Sequence, residues 1–454
     1  KLGVDGIWLS PVYASPQADN GYDISDYRAI HPPFGTMADM EELIREADRR
    51  DLTIIMDLVL NHTSDRHKWF LEAKSSRNSP YHDYYIWRDG VPDCPPNGMR
   101  ATFGGPAWTY VPEIKQWYFH QFSPWQPDLN WENPAVRREL CDMIRFWVDK
   151  GVGGFRLDVI DNIGKEPDRE ITSNGPHLHE YIRELRQNAF REDTLVTVGE
   201  AWSAGVKEAM QYANPDGSEL CMVFQFEQMC LDGATGGNKW DAVPLPLPAL
   251  KKCYERWQQD LRGRGWNSLF LENHDLPRIV SRWGDDGKYR VESAKMLAAM
   301  LHGMQGTPYI YQGEELVACA QAQVTALTAE GCDYIVALSH LGIAPESAPN
   351  RSTDVFAKVT GVDLVIDGHS HDEMDGGQKV GGALVVSTGE YLNNVGVVII
   401  DSGKNAAAQL VSAAAYTKVD EAVAKLVNDK DAQVKAELEK VFAVTEVLLN
   451  GERD

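Results

Sequence analysis

The segment GFRLDVID, residues 154–161, is a short apolar run that ends in ionisable side chains. Helical patterns, with apolar residues three and four positions apart, lie on either side of it at 134–150 and 177–191. An apolar run between two such helices is typical of a buried parallel strand in a β/α repeat. Arg156 and Asp158 are two residues apart and therefore point to the same face of this strand. The segment predicts an α/β fold with charged groups at one end of its sheet.

The same alternation extends in both directions from this segment and predicts a (β/α)8 barrel. Further helical patterns lie at 37–50 and 289–304, and most of the apolar runs end in polar or ionisable groups. Catalytic groups of such barrels lie at the C-terminal ends of several strands. Seven runs are one fewer than a closed barrel needs, so we expect an incomplete barrel that lacks its first strand. The runs are GIWLSP (6–11), TIIMDLVLNH (53–62), GFRLDV (154–159), LVTVGE (195–200), MVFQF (222–226), SLFLENHD (268–275) and TPYIYQGEE (307–315).

The alternation is interrupted once and then ends near Val317. The interruption is rich in Pro, Gly, Trp and Tyr, which predicts a loop-rich inserted subdomain. Beyond Val317, four apolar runs precede a charged helical pattern at 419–442. The runs are CDYIVALSH (332–340), VDLVIDGHSH (362–371), ALVVSTGE (383–390) and VGVVIID (395–401). The predicted domains are the barrel (1–62 and 134–316), the inserted subdomain (63–133), a second α/β module (317–418) and a truncated helical linker segment (419–454).

The composition is ordinary for a globular protein, but the charge is strongly negative. Of the 454 residues, 43% are hydrophobic and 24% are charged, and the formal net charge is -23. This charge disfavours nucleic acids and anionic membrane surfaces as partners. No apolar run approaches the roughly 20 residues that span a bilayer. The seven cysteines lack CxxC spacing and are expected to be reduced thiols.

Asp158 and Glu200 end consecutive predicted strands, and this placement suits the cleavage of an acetal. Retaining glycosidases hold two carboxyl groups roughly 5–5.5 Å apart, and neighbouring strands lie roughly 4.8 Å apart. The charge of Arg156 is expected to keep Asp158 ionised, and the apolar neighbours of Glu200 suit a general acid. Taken alone, however, Arg156 and Asp158 could equally be a structural ion pair.

Four ordered motifs resemble the signature regions of glycoside hydrolase family 13, the α-amylase family. They are DLVLNH (57–62), GFRLDVID (154–161), VGEAW (198–202) and ENHD (272–275). Three further segments, QPDLN (126–130), DNGYDISDY (19–27) and FGTM (34–37), resemble the fifth region and the oligo-1,6-glucosidase and dextran glucosidase branch. The resemblance covers about residues 3–316. It implies a retaining α-glucosidase that hydrolyses α-1,6-linked gluco-oligosaccharides, with isomalto-oligosaccharides as substrates and no required cofactor.

The resemblance also implies a role for each matched residue. Asp158 corresponds to the nucleophile and Glu200 to the general acid/base, while Asp275 corresponds to a third carboxylate that binds sugar hydroxyls. The residues implied to bind the glucose on the non-reducing side of the cut, or to close its pocket, are His62, Arg156, His274, Asp19 and Tyr22. Without the motifs, single histidines in these places would more often belong to the core.

Four other positions match the same family. Val159, directly after the nucleophile, and Gln126 resemble residues associated with α-1,6 linkages. Asp57 and Asn61 correspond to residues that support the loops from below. The resemblance therefore implies both a linkage preference and a scaffold for it.

The second module resembles part of the bacterial 5′-nucleotidases, which are calcineurin-like metallophosphatases. CDYIVALSHLG, VDLVIDGHSHD and STGEYLNNVGVVIID carry this resemblance over about residues 320–454. His340, His369 and His371 match metal ligands of that family, and the last two are expected to share one face at a strand end. The earlier ligand motifs of that family are not found in order. A divalent metal on these three histidines and ordinary surface or core histidines are the alternatives.

Two partial enzymes that meet at about Leu316–Val317 indicate a chimera of two fragments. We expect two separate modules with exposed sheet edges, and an impaired active site in a barrel without its first strand. The leading function is α-glucosidase chemistry; the alternatives are a metallophosphatase or 5′-nucleotidase fragment and a non-catalytic sugar-binding barrel. The barrel favours a cytoplasmic location, whereas the nucleotidase-like tail favours export.

Overall fold

A computed structural model describes residues 3–234, 241–314, 324–325, 327–348, 351–391, 393–401 and 403–415. The chain divides into two compact units, Lys1–Gln312 and Gly313–Asp454. The predicted junction at Leu316–Val317, the helix at 419–442 and the remainder of the segment 419–454 lie outside the described residues.

The first unit alternates strands and helices over most of its length. In chain order its elements are β1 (Gly6–Leu9), β2 (Tyr13–Ala14), β3 (Asp26–Ile30), α1 (Met37–Asp48), β4 (Thr53–Val59), α2 (Lys68–Ala73), β5 (Trp87–Asp89), β6 (Trp108–Val111), β7 (Gln116–Phe119), α3 (Pro134–Asp149), β8 (Gly154–Asp158), α4 (Leu178–Asn188), β9 (Val196–Ala201), α5 (Val206–Tyr212), β10 (Met222–Gln225), α6 (Leu247–Asp260), β11 (Ser268–Leu269), α7 (Ile279–Trp283), α8 (Arg290–His302) and β12 (Thr307–Pro308).

Parallel strands in chain order build the sheet of this unit. Five of them pair in the order β1–β4–β8–β9–β10, and β11 pairs with β12. A parallel bridge between Val223 in β10 and Asn267, which precedes β11, links the two groups. Each of the seven apolar runs contains one of these strands, so the prediction of a parallel β/α sheet is confirmed.

Aromatic rings on the inner face show that the sheet curls. Trp8 in β1 and Phe224 in β10 have ring centroids 5.9 Å apart, although β1 and β10 are the two outer strands of the five-stranded sheet. The ring of Phe224 also meets those of Phe270 at 5.2 Å and Tyr309 at 4.6 Å. These rings fill the interior of a barrel-like sheet, as large side chains do in β/α barrels.

Local sequence signals explain where the helices begin. Thr36 caps α1, because its side chain accepts from the N–H of Asp39 while the Asp39 carboxylate accepts from the N–H of Thr36. Asn133 caps α3, and Pro134 occupies its first turn. The helices predicted at 37–50, 134–150, 177–191 and 289–304 are confirmed as α1, α3, α4 and α8.

The inserted subdomain contains a small antiparallel sheet with the order β5–β7–β6. Its own apolar cluster includes Trp108, Trp117 and Phe119. An isolated bridge between His62 and Asp128 joins the subdomain to the barrel, and a second bridge, between Tyr85 and Leu129, lies within the subdomain. These contacts bring the segment around Asp128 next to the end of β4.

The second unit is a small α/β module. Its elements are β13 (Val336–Leu338), α9 (Ser352–Phe356), β14 (Leu364–Ile366), β15 (Gln378–Val380), β16 (Ala383–Val386), β17 (Asn394–Ile400) and β18 (Ala406–Ser412). One sheet has the order β13–β14–β16–β15, in which only β15 is antiparallel, and β17 pairs with β18. Each of the four predicted apolar runs contains a strand, but the metallophosphatase identity of this module stays a prediction. Among the described residues, no helix combines the length and apolar character needed to cross a bilayer.

Candidate active site

The candidate site lies at the C-terminal ends of β4, β8 and β9. In the strand register, Asp57 of β4 is opposite Arg156 of β8, and Val59 is opposite Asp158. Glu200 lies near the end of β9, the next strand of the sheet. Parallel pairing of neighbouring strands therefore brings these charged groups to one edge, where each has almost no contact with solvent.

One guanidinium contacts three carboxylates at this edge. Nη1 of Arg156 donates to Oδ1 of Asp57 at 2.9 Å and to Oδ1 of Asp158 at 2.7 Å. Nη2 of Arg156 is 2.7 Å from Oε2 of Glu200. Because the guanidinium is planar and rigid, Asp158 and Glu200 are held side by side at the same end of the sheet. The 5–5.5 Å separation expected for a retaining pair stays a prediction.

Burial dominates the electrostatics of Asp158. It raises the pKa of this carboxyl well above the usual value, and repulsion from Glu200 and Asp57 adds to the rise, whereas the Arg156 charge lowers it. Burial and the neighbouring carboxylates therefore oppose the Arg156 charge, and the expectation that Arg156 keeps Asp158 ionised stays a prediction. Three carboxylates around a single guanidinium favour retention of a proton in the cluster. An acid and a carboxylate at one site are what retaining hydrolysis requires.

Glu200 accepts hydrogen bonds at both carboxylate oxygens. The backbone N–H of Val159 donates to Oε2 at 3.1 Å, and Nε1 of Trp202 donates to Oε1 at 3.1 Å. Val159 adopts a left-handed backbone with φ 34°, which is unusual for a β-branched residue. Such strain is concentrated at functional sites, and here it aims an N–H at Glu200.

Aromatic rings near Asp57 form one wall of the site. The hydroxyl of Tyr22 donates to Oδ2 of Asp57 at 3.0 Å and lies 2.9 Å from Nε2 of His274. The rings of Tyr22 and His274 are stacked with centroids 5.3 Å apart. The indole of Trp8 donates to Asp57 as well. Residues separated by about 250 positions in sequence therefore meet at one wall, as the motifs imply.

A second group of polar side chains at the site contains Asp19, Gln126 and His62. Nε2 of Gln126 donates to Oδ2 of Asp19 at 2.6 Å and lies 3.3 Å from Nε2 of His62. Burial is the main cause that lowers the pKa of His62 to about 3, so this imidazole is neutral. Burial raises the pKa of Asp19, and the nearby Asp275 charge contributes to the rise. The matched residues of the inserted subdomain and the barrel are therefore close neighbours.

Asp275 is the most exposed of the three implied carboxylates. Its side chain is 42% exposed, and its Oδ2 is 3.9 Å from Nε2 of His274. Its N–H donates to the side chain of Asn273. Asp275 thus lies at the rim of the site, while Asp158 and Glu200 lie at its base.

Several residues contact the site that were not predicted from the sequence. Trp8 and Trp202 contact the carboxylates through their indole N–H groups, and Lys165, which is buried, lies 3.1 Å from Asp128. Trp202 could have been found from its position two residues after Glu200. The pairing of Lys165 with Asp128 had no signal, because the two residues are far apart in sequence.

Of the two alternatives for the three tail histidines, the described residues do not support the metal site. The rings of His340 and His369 meet at 5.3 Å, but Nδ1 of His371 pairs with Glu390 at 2.8 Å. No group of three or more metal-ligating side chains able to hold a metal ion is found in the described part of the chain. The physical reason is that β14 ends at Ile366 and both His369 and His371 have positive φ, so strand alternation does not place them on one face.

A curled parallel sheet with paired carboxylates at its C-terminal edge is the arrangement of β/α-barrel glycoside hydrolases. Residues 1–347 match the family described as Alpha amylase, catalytic domain. The chain belongs to the α-amylase family. The match extends past Leu316, where the resemblance was expected to end.

Two relatives with high identity to the chain carry names that specify α-1,6 linkages. The chain is 56% identical over 318 residues to the glucan 1,6-alpha-glucosidase of Streptococcus dysgalactiae subsp. equisimilis, a match that covers 70% of this chain and 58% of that protein. It is 54% identical over 331 residues to the oligo-1,6-glucosidase of Parageobacillus thermoglucosidasius, covering 70% and 59%. The chain thus spans less than two thirds of these relatives.

A solved structure gives the same result for the fold. The crystal structure of Bacillus licheniformis trehalose-6-phosphate hydrolase superposes with a TM-score of 0.67 at 46% identity, covering 73% of this chain and 64% of that one. This similarity supports a barrel-like fold of the α-amylase family. These findings give no support to the 5′-nucleotidase fragment or to the chimera, which stay predictions from the sequence.

Proposed function

We propose that the barrel is a retaining α-glucosidase that removes glucose from the non-reducing end of α-1,6-linked gluco-oligosaccharides. The observation that carries the proposal is the single Arg156 guanidinium in contact with both Asp158 and Glu200. Two carboxyl groups in such proximity suit double displacement. The names of the relatives, glucan 1,6-alpha-glucosidase and oligo-1,6-glucosidase, support the same linkage.

In the first step, Asp158 attacks the anomeric carbon of the bound glucose. A bond forms between a carboxylate oxygen and that carbon while the bond to the glycosidic oxygen breaks, and Glu200 transfers its proton to the leaving oxygen. Arg156 and the N–H of Val159 hold the two carboxyl groups in place. The product of this step is a covalent glucosyl ester on Asp158.

In the second step, water hydrolyses the glucosyl ester. Glu200, now a carboxylate, takes a proton from the water as its oxygen bonds to the anomeric carbon, and the bond to Asp158 breaks. Both carboxyl groups return to their starting protonation states. Two inversions give net retention, so glucose is released as the α-anomer.

The walls of the site suit the non-reducing glucose. Asp19, the Tyr22–His274 pair and the neutral His62 supply hydrogen-bonding groups around one sugar ring. Val159 and Gln126 support a preference for α-1,6 linkages, and Asp275 at the rim would bind ring hydroxyls. These roles follow from the family resemblance together with the contacts described above.

The proposed reaction needs no cofactor, and we expect chelators to leave it unchanged. Phosphatase or 5′-nucleotidase activity of residues 317–454, a purely sugar-binding barrel and the cytoplasmic location stay predictions without further support. The phosphatase hypothesis depends on a metal site, and no such site is assembled in the described residues.

Hydrolysis assays with the full chain test the proposal. The substrates are isomaltose, maltose, p-nitrophenyl α-glucoside and, because relatives carry those names, trehalose 6-phosphate and isomaltulose. We expect isomaltose to be hydrolysed faster than maltose, with α-glucose as the first product in proton NMR spectra and no effect of EDTA. Asp158→Asn should abolish activity while leaving the thermal melting curve intact.

Three results would contradict the proposal. Initial release of β-glucose would show an inverting mechanism, and activity that requires a metal would favour the phosphatase alternative. Binding of isomaltose without any turnover would favour the non-catalytic barrel.

A further inference from the structure

The segments at the C-terminal ends of β8 and β9 exchange hydrogen bonds with each other. The N–H of Val159, after β8, donates to Oε2 of Glu200 in β9. In return, the N–H of Ser203, after β9, donates to Oδ2 of Asp161 at 3.0 Å, and the Ser203 hydroxyl donates to the same oxygen. We name this pair of contacts, Val159–Glu200 and Ser203–Asp161, the reciprocal clasp. Each catalytic loop thereby donates to a carboxylate of the other.

Within the clasp Asp161 is buried whereas Ser203 is exposed, and the contact between them is supported by further hydrogen bonds. Asp161 is 2% exposed. Nδ2 of Asn174 donates to the Ser203 hydroxyl at 2.7 Å, and the N–H of Asn174 donates to the Asp161 carbonyl at 2.8 Å. The hydroxyl of Tyr212 donates to Oδ1 of Asn174 at 2.9 Å. The network fixes both members of the Asp161–Ser203 contact.

The two loops approach so closely that the sequence must accommodate them. A Cβ atom on Gly199, which directly precedes Glu200, would lie 2.9 Å from Cγ2 of Ile160. Val159 is held in a left-handed conformation that a β-branched residue rarely adopts. Surrounding contacts must over-determine such a conformation, and the clasp provides them.

We propose that the reciprocal clasp sets the position of Glu200 relative to Asp158, with Asp161 and Ser203 as positioning residues. Trp202 is the residue through which this works, because it lies between Glu200 and Ser203 in sequence and its indole donates to Oε1 of Glu200. Its ring also stacks on Phe226 with centroids 3.7 Å apart. Fixing Ser203 fixes Trp202, and both oxygens of Glu200 are then held by donors.

This inference rests on the proposed function and leads to a specific kinetic signature. A misplaced Glu200 delivers its proton poorly to the glycosidic oxygen. A sugar leaving group needs that proton, whereas 2,4-dinitrophenolate leaves without it. Loss of the clasp should therefore harm isomaltose hydrolysis much more than hydrolysis of 2,4-dinitrophenyl α-glucoside. A merely structural defect would lower both rates together.

The experiment compares kcat/KM for these two substrates in the full chain and its variants, because kcat/KM reports the first chemical step. For Asp161→Asn we expect about a 100-fold loss on isomaltose and less than about 5-fold on the dinitrophenyl substrate, in the range for general acid catalysis. Ser203→Ala should show the same pattern at about 10-fold, and Ser203→Thr, which keeps the hydroxyl, should restore activity.

Asp216→Asn is the matched control. Asp216 accepts from the N–H of Ser218 at 2.8 Å in an exposed turn, so it has the same chemistry away from the site. We expect it to leave both substrates within about 2-fold. Thermal melting of each variant establishes that the protein is folded, and Ser203→Ala, at an exposed position, tests the proposal even where Asp161→Asn fails to fold.

Equal losses on both substrates, or no loss on isomaltose, would overturn the clasp while leaving the proposed function in place. A wild-type chain inactive on both substrates would instead overturn the proposed function, and the clasp with it.

Discussion

Arg156 contacts three buried carboxylates at the base of the site, two of which are the proposed nucleophile and acid/base. Its two terminal nitrogens have different partners, since Nη1 contacts Asp57 and Asp158 while Nη2 contacts Glu200. A lysine would supply the charge without this fork. The geometry of the guanidinium, rather than its charge alone, therefore determines how the carboxylates are spaced.

Replacing Arg156 by lysine tests this point. We expect Arg156→Lys to lower kcat/KM for isomaltose by on the order of 100-fold, because a point charge cannot hold both carboxylates and small displacements are costly at an active site. The control is Arg88→Lys, which makes the same change in a surface pair with Asp168. Equal activity of Arg156→Lys and the wild-type chain would contradict this account.

Val159 carries the prediction on linkage preference. Val159→Thr keeps the shape and β-branching but introduces a hydroxyl next to the proposed nucleophile. We expect the ratio of isomaltose to maltose hydrolysis to fall by about 10-fold, a size typical of one altered pocket contact. The ratio of the two kcat/KM values is the measurement, and an unchanged ratio would remove the motive for the linkage assignment.

The sequence identified some of these residues better than others. Asp158, Arg156 and Glu200 could be predicted because strand ends and ordered motifs mark them. Asp161 could not, because its role depends on hydrogen bonds between two loops, which leave no periodic pattern. That burial raises the pKa of Asp158 could not be predicted, since the degree of burial is a property of the whole fold.

Among the secondary-structure elements, β4, β8 and β9 carry the charged residues at the base of the site. A buried ion pair joins the inserted subdomain to these strands. Lys165, which follows β8, lies 3.1 Å from Asp128, and Asp128 also accepts from Asn61 at the end of β4. Burial lowers the pKa of Lys165 and raises that of Asp128. Removing one partner would leave an uncompensated buried charge.

We expect Lys165→Met to lower the free energy of unfolding by about 3–5 kcal/mol, as for other broken buried pairs. The double variant Lys165→Met with Asp128→Asn should recover part of the loss, because no buried charge is left unpaired. Lys150→Met is the control, since Lys150 pairs with Glu41 at the surface and should cost less than about 1 kcal/mol. Urea unfolding measures all three, and similar losses for Lys165→Met and Lys150→Met would contradict the prediction.

The elements themselves differ in how well the sequence predicted them. The helices α1, α3, α4 and α8 were found because their apolar positions repeat at helical spacing. The strands β11 and β12 have only two residues each, because the chain turns into loops soon after the buried run begins. β18 was missed, since its Ala-rich sequence carries little strand signal.

At the scale of the whole molecule, several histidines are neutral in the folded state because they are buried. Burial is the main cause that lowers the pKa of His67 to about 3, against about 6.5 in an unfolded chain. The unfolded chain therefore binds the proton first as the pH falls. The stability contributed by His67 is fully present above pH 6.5 and decreases as the pH falls towards 3.

The variant His67→Gln isolates this contribution. Between pH 6.5 and 4.5, the wild-type chain should lose up to about 1.4 kcal/mol per pH unit relative to His67→Gln, since that is the linkage of one proton. The exposed His177→Gln should follow the wild-type curve. Urea unfolding over this pH range provides the measurement, and parallel curves for the wild-type chain and His67→Gln would contradict the assignment.

The division of the chain into two units and the extent of the family match do not coincide. The division at Gln312–Gly313 lies near the predicted boundary, yet the family match continues to residue 347. The motifs mark the catalytic strands and not the segments between and after them, so the sequence alone did not extend the resemblance beyond Leu316.

Trapping of the glucosyl ester would identify the nucleophile of the proposed reaction. The chain is incubated with 5-fluoro-α-glucosyl fluoride, which forms the ester quickly and releases it slowly, and is then digested for mass spectrometry. We expect one added fluoroglucosyl group on the peptide that contains GFRLDVID, with fragmentation locating it on Asp158. A label on another residue, or no covalent label in a chain that hydrolyses isomaltose, would show that Asp158 is not the nucleophile.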